Sequence, residues 1–135
     1  MTEGSEELAP AWRWTETDPR GLVIRCAAAV WEVKTQRHPE IVAHEGAVRA
    51  VLRDPDLVYD DPLSTEHLRP TGGRVAAIRH YIGRGRVSGH PATLITVVVK
   101  VLRGPDDSPE IGYVQTTYFT GRIPIRLQLR WSRVL

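Results

Sequence analysis

Residues that favour β-strands are concentrated in the second half of this chain, whereas helical spacing is confined to the first half. Residues 93–102 are dense in β-branched side chains and predict the strongest strand. Residues 111–120 predict the next strand, and residues 125–131 alternate apolar and polar side chains with the period of two expected of a strand. Weaker strand patterns lie at residues 21–26, 57–59 and 74–81, and the first of these is expected to be an edge strand. Because the later connections are short, an antiparallel meander is expected.

Two segments of the first half have the spacing of amphipathic helices. The first runs from about Ala27 to Arg37 and is expected to end before Pro39, because the residue preceding a proline is pushed out of the α region. The second is expected to end at Asp54-Pro55. One stripe along this second helix comprises Ile41, His44, Val48, Val51 and Leu52.

This segregation predicts an α+β domain in which two N-terminal helices pack on an antiparallel sheet of about four to five strands. Residues 1–20 are expected to form a loosely docked acidic arm, and residues 21–135 a single domain. Residues 82–91 are rich in glycine and arginine and predict a turn. The residues expected in the core are Ile24, Trp31, Val48, Val51, Leu52, Val97 and Val99.

The composition excludes several classes of protein. The chain has 135 residues and one cysteine, Cys26, so it can form no intrachain disulfide. No apolar stretch approaches the roughly 20 residues that span a bilayer, so no membrane partner is expected. The first residues are acidic where a secretory signal is basic and then apolar, which predicts a cytoplasmic protein. The five histidines lack the spacing of a helical zinc pair, and we expect neither a metal nor another cofactor.

The small net charge of +2 hides an asymmetry between the two halves of the chain. Residues 1–61 carry a balance of −5 and residues 62–135 a balance of +7, and 16 of the 18 basic residues are arginine. The basic half is interpreted either as a surface for a polyanion or as a solvated surface that the acidic half neutralises. On the first interpretation RNA binds the side that displays Arg79, Arg84, Arg86 and Lys100.

Five short motifs occur in a fixed order. They are Trp31, His38-Pro39-Glu40-Ile41, residues 51–58 (VLRDPDLV), residues 96–100 (TVVVK) and residues 112–119 (GYVQTTYF). Over about residues 21–123 this series resembles the phage-associated branch of the barnase, EndoU, colicin and RelE-like nuclease superfamily. The resemblance implies a barnase/RelE-like pair of helices on a curved antiparallel sheet, with a metal-independent RNA-cleaving site between the first helix and the sheet. The chain departs from the pattern at Val33, where relatives often have a histidine, and at Thr117, which replaces a small residue.

Metal-independent RNA cleavage needs a base for the 2′-hydroxyl, cations for the phosphorane and an acid for the departing 5′-oxygen. His38 is the candidate base, because a histidine at a helix C-terminus titrates near neutral pH, and its alternative role is a helix cap. Glu40 could orient it or complement the helix dipole. The remaining candidate catalytic residues are the strand residues Arg79, Tyr81, Lys100, Thr116 and Tyr118, of which the resemblance favours the last two. Arg84 and Arg86 are the candidate substrate-binding residues.

Three functions remain open on the sequence. The first is a small metal-independent ribonuclease or nuclease-like toxin that cleaves RNA by transesterification and is neutralised by an acidic antitoxin or immunity protein. The second is a catalytically inactive domain of the same fold that binds RNA or another protein, and Val33 favours it. The third is an unrelated α+β protein that dimerises through its C-terminal strand. Both a monomer and a homodimer are compatible with these functions.

Overall fold

Seven strands form one mixed sheet, with a short helical segment inserted between the second and third strands. The computed structural model describes residues 11–66, 75–84, 94–104 and 108–133. The strands are β1 (Trp12–Thr17), β2 (Val23–Ala27), β3 (Leu57–Asp60), β4 (Val75–Arg84), β5 (Leu94–Leu102), β6 (Ile111–Thr120) and β7 (Gln128–Ser132). The helical segment comprises α1 (Ala28–Arg37), a 3-10 helix (Pro39–His44) and α2 (Glu45–Arg53).

The strands lie in the order β1-β2-β6-β5-β4-β3-β7. β2 and β6 run parallel, and the other neighbouring strands in this order are antiparallel. The expected fold, two N-terminal helices on an antiparallel sheet of four to five strands, is therefore wrong. Two strands precede the helices, and the helical crossover carries the chain from β2 to the far side of the sheet, where β3 begins. The later strands then fill the gap, so that β6 reaches β2 in the parallel direction.

The N-terminal segment contributes to the sheet. Residues 12–17, within the stretch expected to form a loose acidic arm, pair with β2 as an edge strand. β2 consequently lies between β1 and β6, and the expectation that it is an edge strand is wrong. Trp14 and Glu16 are buried in β1, which explains why this polar segment is retained on the sheet. Residues 1–10 lie outside the described part of the chain.

One face of the sheet packs against the helices. The side chains that meet there include Ile24 from β2, Val97 and Val99 from β5, and Trp31 from α1. All seven residues expected in the core are at most 4% exposed, so that prediction is confirmed. The expected second helix is a 3-10 turn followed by α2, and its apolar stripe is buried as predicted at Ile41, Val48, Val51 and Leu52.

The opposite face, called here the open face, lies away from α1 and α2. Its side chains alternate with those of the core, and cross-strand pairing places Ile78 opposite Lys100 and His80 opposite Val98. An extra residue in β6, Gln115, shifts the register between the pairs formed by Val98 and Val99. This β-bulge moves the alternation of β6 by one residue and therefore changes which side chains reach the open face.

The ends of two predicted elements also differ. β4 continues to Arg84, so residues 82–84 belong to the strand and not to the expected turn, and residues 85–93, with Arg86, lie outside the described residues. The last strand begins at Gln128 rather than Ile125, because residues 125–126 form a turn closed by the Leu127 N–H donating to the Pro124 carbonyl at 3.2 Å. None of the described helices is both long and apolar enough to cross a membrane.

Candidate functional site

A cavity of about 650 Å³, called here the histidine pocket, opens on the open face. The segment that follows β3 forms one wall, the central strands form its floor, and Arg126 reaches it from the segment before β7. Its lining residues are Asp61, Leu63, Ser64, Ile78, His80, Val98, Gln115, Tyr118 and Arg126. The pocket therefore combines an apolar floor with acidic, basic and neutral titratable groups.

Asp61 organises the polar side of this pocket although it is only 1% exposed. Its carboxylate accepts hydrogen bonds from the backbone N–H of Ser64 at 3.2 Å and from the Ser64 hydroxyl at 2.9 Å. Arg126 Nη2 donates to Asp61 Oδ2 at 3.3 Å. Burial alone would raise the pKa of this carboxyl, but the Ser64 and Arg126 hydrogen bonds outweigh burial and hold the pKa below its usual value. Asp61 is therefore ionised at neutral pH.

His80 has two ring nitrogens in different environments. Its Nε2 lies 3.2 Å from Asp61 Oδ2, and because an ionised carboxylate can only accept, Nε2 carries the proton of the neutral ring. Its Nδ1 is buried and has no hydrogen-bond partner among the described residues. Burial lowers the pKa of His80, with the Asp61 charge opposing the shift, so the ring is neutral at pH 7. Nδ1 then holds a free lone pair.

Arg126 and Tyr118 complete the histidine pocket. Arg126 is half exposed, at 50%, although it pairs with the buried Asp61, so its guanidinium can contact an anion in the pocket. Burial raises the pKa of the Tyr118 phenol, so its hydroxyl stays protonated at neutral pH. A neutral histidine ring, a cation and a hydroxyl donor thus line one space.

A second cavity, of about 470 Å³, lies where β2 leads into α1 and is called here the tryptophan pocket. Its lining residues are Trp12, Arg25, Ala27, Val30, Lys100, Leu102, Tyr113, Val114 and Gln115. Gln115 lines both pockets, so the two cavities adjoin each other at the bulge of β6.

The candidate site residues lie on both sides of the sheet. His38 ends α1 in the helical layer, 41% exposed, with its Nδ1 3.6 Å from Glu40. Lys100 lies on the open face, opposite Ile78 in the register. The sheet therefore stands between the helix junction and Lys100, and His38 lines neither of the two cavities described above.

Arg79 and Tyr81 point to the helix side of the sheet, where they pair in register with Val99 and Val97. Tyr81 is 1% exposed, and its hydroxyl donates to Asp18 at 2.7 Å. Arg79 is 11% exposed, with its Nε 3.6 Å from Asp60. Tyr81 is thus held in the protein interior and Arg79 is mostly buried, and neither lines one of the two open-face pockets.

The open face does bring together three of the candidates. Lys100 lines the tryptophan pocket, Tyr118 lines the histidine pocket, and Thr116 lies opposite Val98 between them. Arg84 ends β4, and its side chain lies outside the described part of the structure, as does Arg86 altogether.

Sequence reasoning missed Asp61, His80 and Arg126. One signal was available for His80, because it lies between Ile78 and Ile82 at the period of two and so interrupts an apolar strand face. No local signal pairs it with Asp61, which is 19 residues away, or with Arg126 beyond two further strands.

The described residues contain no group of three or more histidine, cysteine, aspartate or glutamate side chains placed to hold a metal ion. Comparison of the chain with protein families, with curated proteins and with solved structures finds no match.

Proposed function

We propose that this protein is a metal-independent ribonuclease that cleaves RNA by transesterification in the histidine pocket. The observation that carries the proposal is the pairing of His80 Nε2 with Asp61, which leaves the buried Nδ1 with an unpartnered lone pair in a ring that lines the same pocket as Arg126 and Tyr118. The resemblance of the chain to the nuclease superfamily supports the same activity. The base is then His80 and not the helix-junction residue His38.

In this reaction His80 Nδ1, which is buried before RNA binds, becomes accessible and removes the proton of the RNA 2′-hydroxyl, which attacks the adjacent phosphorus. A bond forms between O2′ and phosphorus, and the bond between phosphorus and O5′ breaks. Arg126 stabilises the negative charge of the phosphorane, and the Tyr118 hydroxyl gives its proton to the departing O5′. The products are a 2′,3′-cyclic phosphate and a 5′-hydroxyl, and the proton on His80 returns to Tyr118 through solvent.

The test is RNA cleavage by the purified full chain in EDTA, comparing the unchanged protein with His80→Ala, His80→Gln and His38→Ala. Loss of a general base lowers the rate by about 10²- to 10⁴-fold, so both His80 variants should lose at least about 100-fold. His44→Ala is the matched control, since His44 lies in the helical layer against Phe119. Circular dichroism and thermal unfolding establish that the His80 variants are folded.

Two results would contradict this assignment. Full cleavage by folded His80→Ala removes His80 as the base. Loss of cleavage in His38→Ala alone places the base at the helix junction.

A second candidate, a catalytically inactive RNA-binding domain, is favoured by Val33, which is 47% exposed on α1 where the nuclease pattern often has a histidine. Binding of RNA without cleavage at any pH would support this candidate. An acidic antitoxin or immunity protein remains part of the ribonuclease proposal, because it would compete with RNA for the same cations.

A further inference from the structure

We propose that the tryptophan pocket is a separate subsite that binds an unpaired base of single-stranded RNA and its phosphate. The base stacks on Trp12 and Tyr113, and the phosphate lies against Arg25 and Lys100. This inference rests on the proposed function for its choice of RNA. It adds a site distinct from the histidine pocket and a preference for unpaired strands.

The aromatic side chains form a stacking surface at the edge of the sheet. Trp12 is 37% exposed, its ring centroid lies 5.7 Å from that of Tyr113, and the two planes are inclined by 37°. The Arg25 guanidinium lies 5.3 Å from the centroid of the Trp12 ring. Aromatic rings combined with cations are the usual means by which proteins hold single strands, because every nucleobase has a π-face.

Two β-bulges direct these aromatic rings to the same side. In β1 the register shifts between Trp12 and Trp14, so Trp14 enters the core while Trp12 pairs with Ala27 beside the pocket. In β6 the extra residue Gln115 places Tyr113 opposite Lys100. Without the bulges, the period of two would put Trp12 on the side of Trp14 and Tyr113 on the side of Thr117, both facing the core.

The cations of this pocket are free of carboxylates. Arg25 and Lys100 make no ion pair within the described part of the chain, and no acidic residue is among those that line the pocket. In contrast, Arg126 in the histidine pocket pairs with Asp61. The positive charge of the tryptophan pocket therefore favours an anion. A nucleotide supplies both a base for the aromatic rings and a phosphate for the two cations.

The ligand has to be unpaired, because the bases of a duplex stack on each other and hide their faces from Trp12. Because Gln115 lines both pockets, the two cavities adjoin, and a single strand bound at Trp12 would reach the histidine pocket by crossing Gln115. The tryptophan pocket would thus hold the strand while a neighbouring nucleotide lies at His80.

The test measures binding of a fluorescently labelled single-stranded RNA in which every 2′-hydroxyl is methylated, so that transesterification cannot occur. Fluorescence anisotropy is followed for the unchanged protein, Trp12→Ala and Trp12→Phe. Loss of one stacked base should weaken binding by about tenfold or more, and Trp12→Phe should retain most of the affinity. Leu129→Ala, an exposed apolar residue on β7, is the control.

The phosphate contact is tested by comparing Lys100 with a cation that does not line the pocket, Arg53. Lys100→Ala should flatten the dependence of log affinity on log salt by about one unit, as expected for one phosphate lost. Arg53→Ala, on α2 away from the residues that line the pocket, should leave that slope unchanged.

Equal affinity of Trp12→Ala and the unchanged protein overturns the inference, as does equally tight binding of the same sequence as a duplex. The proposed function fails separately. If the unchanged protein does not cleave unmodified RNA yet binds the methylated strand through Trp12, cleavage is wrong and this subsite stands. If it cleaves RNA while Trp12→Ala binds as tightly, the subsite is wrong and the ribonuclease stands.

Discussion

At the scale of single residues, His80 and Tyr81 are neighbours in β4 that face opposite sides of the sheet and have different roles. His80 lines the histidine pocket, whereas Tyr81 is buried on the helix side with its hydroxyl on Asp18. Alternation along the strand alone separates the two. A variant of either residue therefore tests one role without altering the other directly.

The acid limb of the pH–rate profile should lie below pH 6.5, the usual pKa of a histidine, because burial lowers the pKa of His80. Cleavage needs the neutral ring, so the rate falls as pH drops through this lowered pKa. The measurement is kcat/KM in EDTA across about pH 4.5 to 8. An acid limb above pH 6.5 would point to a different base.

Tyr81→Phe should lower the free energy of unfolding by about 1–3 kcal/mol, because it leaves the buried Asp18 Oδ2 without its hydroxyl donor. Urea denaturation measures this loss. The rate of RNA cleavage should stay near that of the unchanged protein. A large loss of cleavage with unchanged stability would restore Tyr81 to the site.

At the scale of elements, β4 meets α2 at a point of close approach. A Cβ built on Gly83 would lie 2.6 Å from Val51 Cγ2, and Val51 is 1% exposed in the core. The strand therefore needs a residue without a side chain there for α2 to lie against the sheet.

Gly83→Ala should destabilise the protein by about 1–3 kcal/mol through overpacking, measured by urea denaturation. Adding Val51→Ala makes room for the new methyl group, so the double variant should be more stable than the two separate losses predict. Gly46→Ala in α2 is the control, because nothing lies within 4 Å of its added Cβ. That change should be neutral or stabilising by up to about 1 kcal/mol. Additive losses from Gly83→Ala and Val51→Ala would contradict the proposed contact.

β1 is held by its buried side chains. The Trp14 ring lies 6.2 Å from Trp31, and its Nε1–H donates to Glu45 at 3.0 Å. Glu16, 6% exposed, pairs with Arg49 and Arg53 of α2. The edge strand thus binds the helical layer as well as β2.

Trp14→Ala should lower the free energy of unfolding by about 3–5 kcal/mol, the usual loss for a large aromatic residue in a core. Trp12→Ala, on the exposed side, should change stability much less. Thermal and urea unfolding of both variants give the comparison. Equal, small effects would mean that residues 12–17 form a loose arm after all.

At the scale of the whole molecule, part of the charge asymmetry of the sequence is used in ion pairs within the fold. Carboxylates between residues 54 and 61 pair with arginines of the second half, namely Arg133 with Asp54 and Asp56, Arg79 and Arg130 with Asp60, and Arg126 with Asp61. For these arginines, the acidic half of the chain neutralises the basic half, as the second interpretation of the charge asymmetry expects. Arg25 and Lys100 make no such pair within the described residues, and both line the tryptophan pocket.

The protein should lose stability in two stages as pH falls. His80 has a lowered pKa in the folded state, so the unfolded chain binds its proton first, and stability declines as pH drops below about 6.5. Asp61 and Glu45 also have lowered pKa values, so their contribution is lost as pH falls below about 4. Urea midpoints at about pH 7, 5 and 3 measure both stages. His80→Gln should abolish the first stage and retain the second. If the first stage persists in this variant, another titratable group causes the first loss of stability.

The sequence by itself determined the approximate position of most strands and helices after residue 20, and the seven side chains that it assigned to the core are buried. Residues 111–120 form β6 as predicted, α1 begins within one residue of its predicted start, and the apolar stripe of residues 41–52 is buried. These properties follow from spacing within a single segment, where a period of two or of about 3.6 residues decides which side faces the core.

The RNA-related role of Lys100, Thr116 and Tyr118 stays a prediction.

Only the tertiary structure decided the order of the strands, the parallel contact of β2 with β6 and the neighbours of each polar side chain. Strand pairing joins segments that are far apart in the chain. Many pairs of strands satisfy the same alternation of apolar and polar side chains, so the periodicity of one strand cannot identify its neighbour. One extra residue, Gln115, moves Tyr113 to the open face. His80 meets Asp61 and Arg126 because three separate segments converge there, and such convergence is set by the packing of the whole sheet.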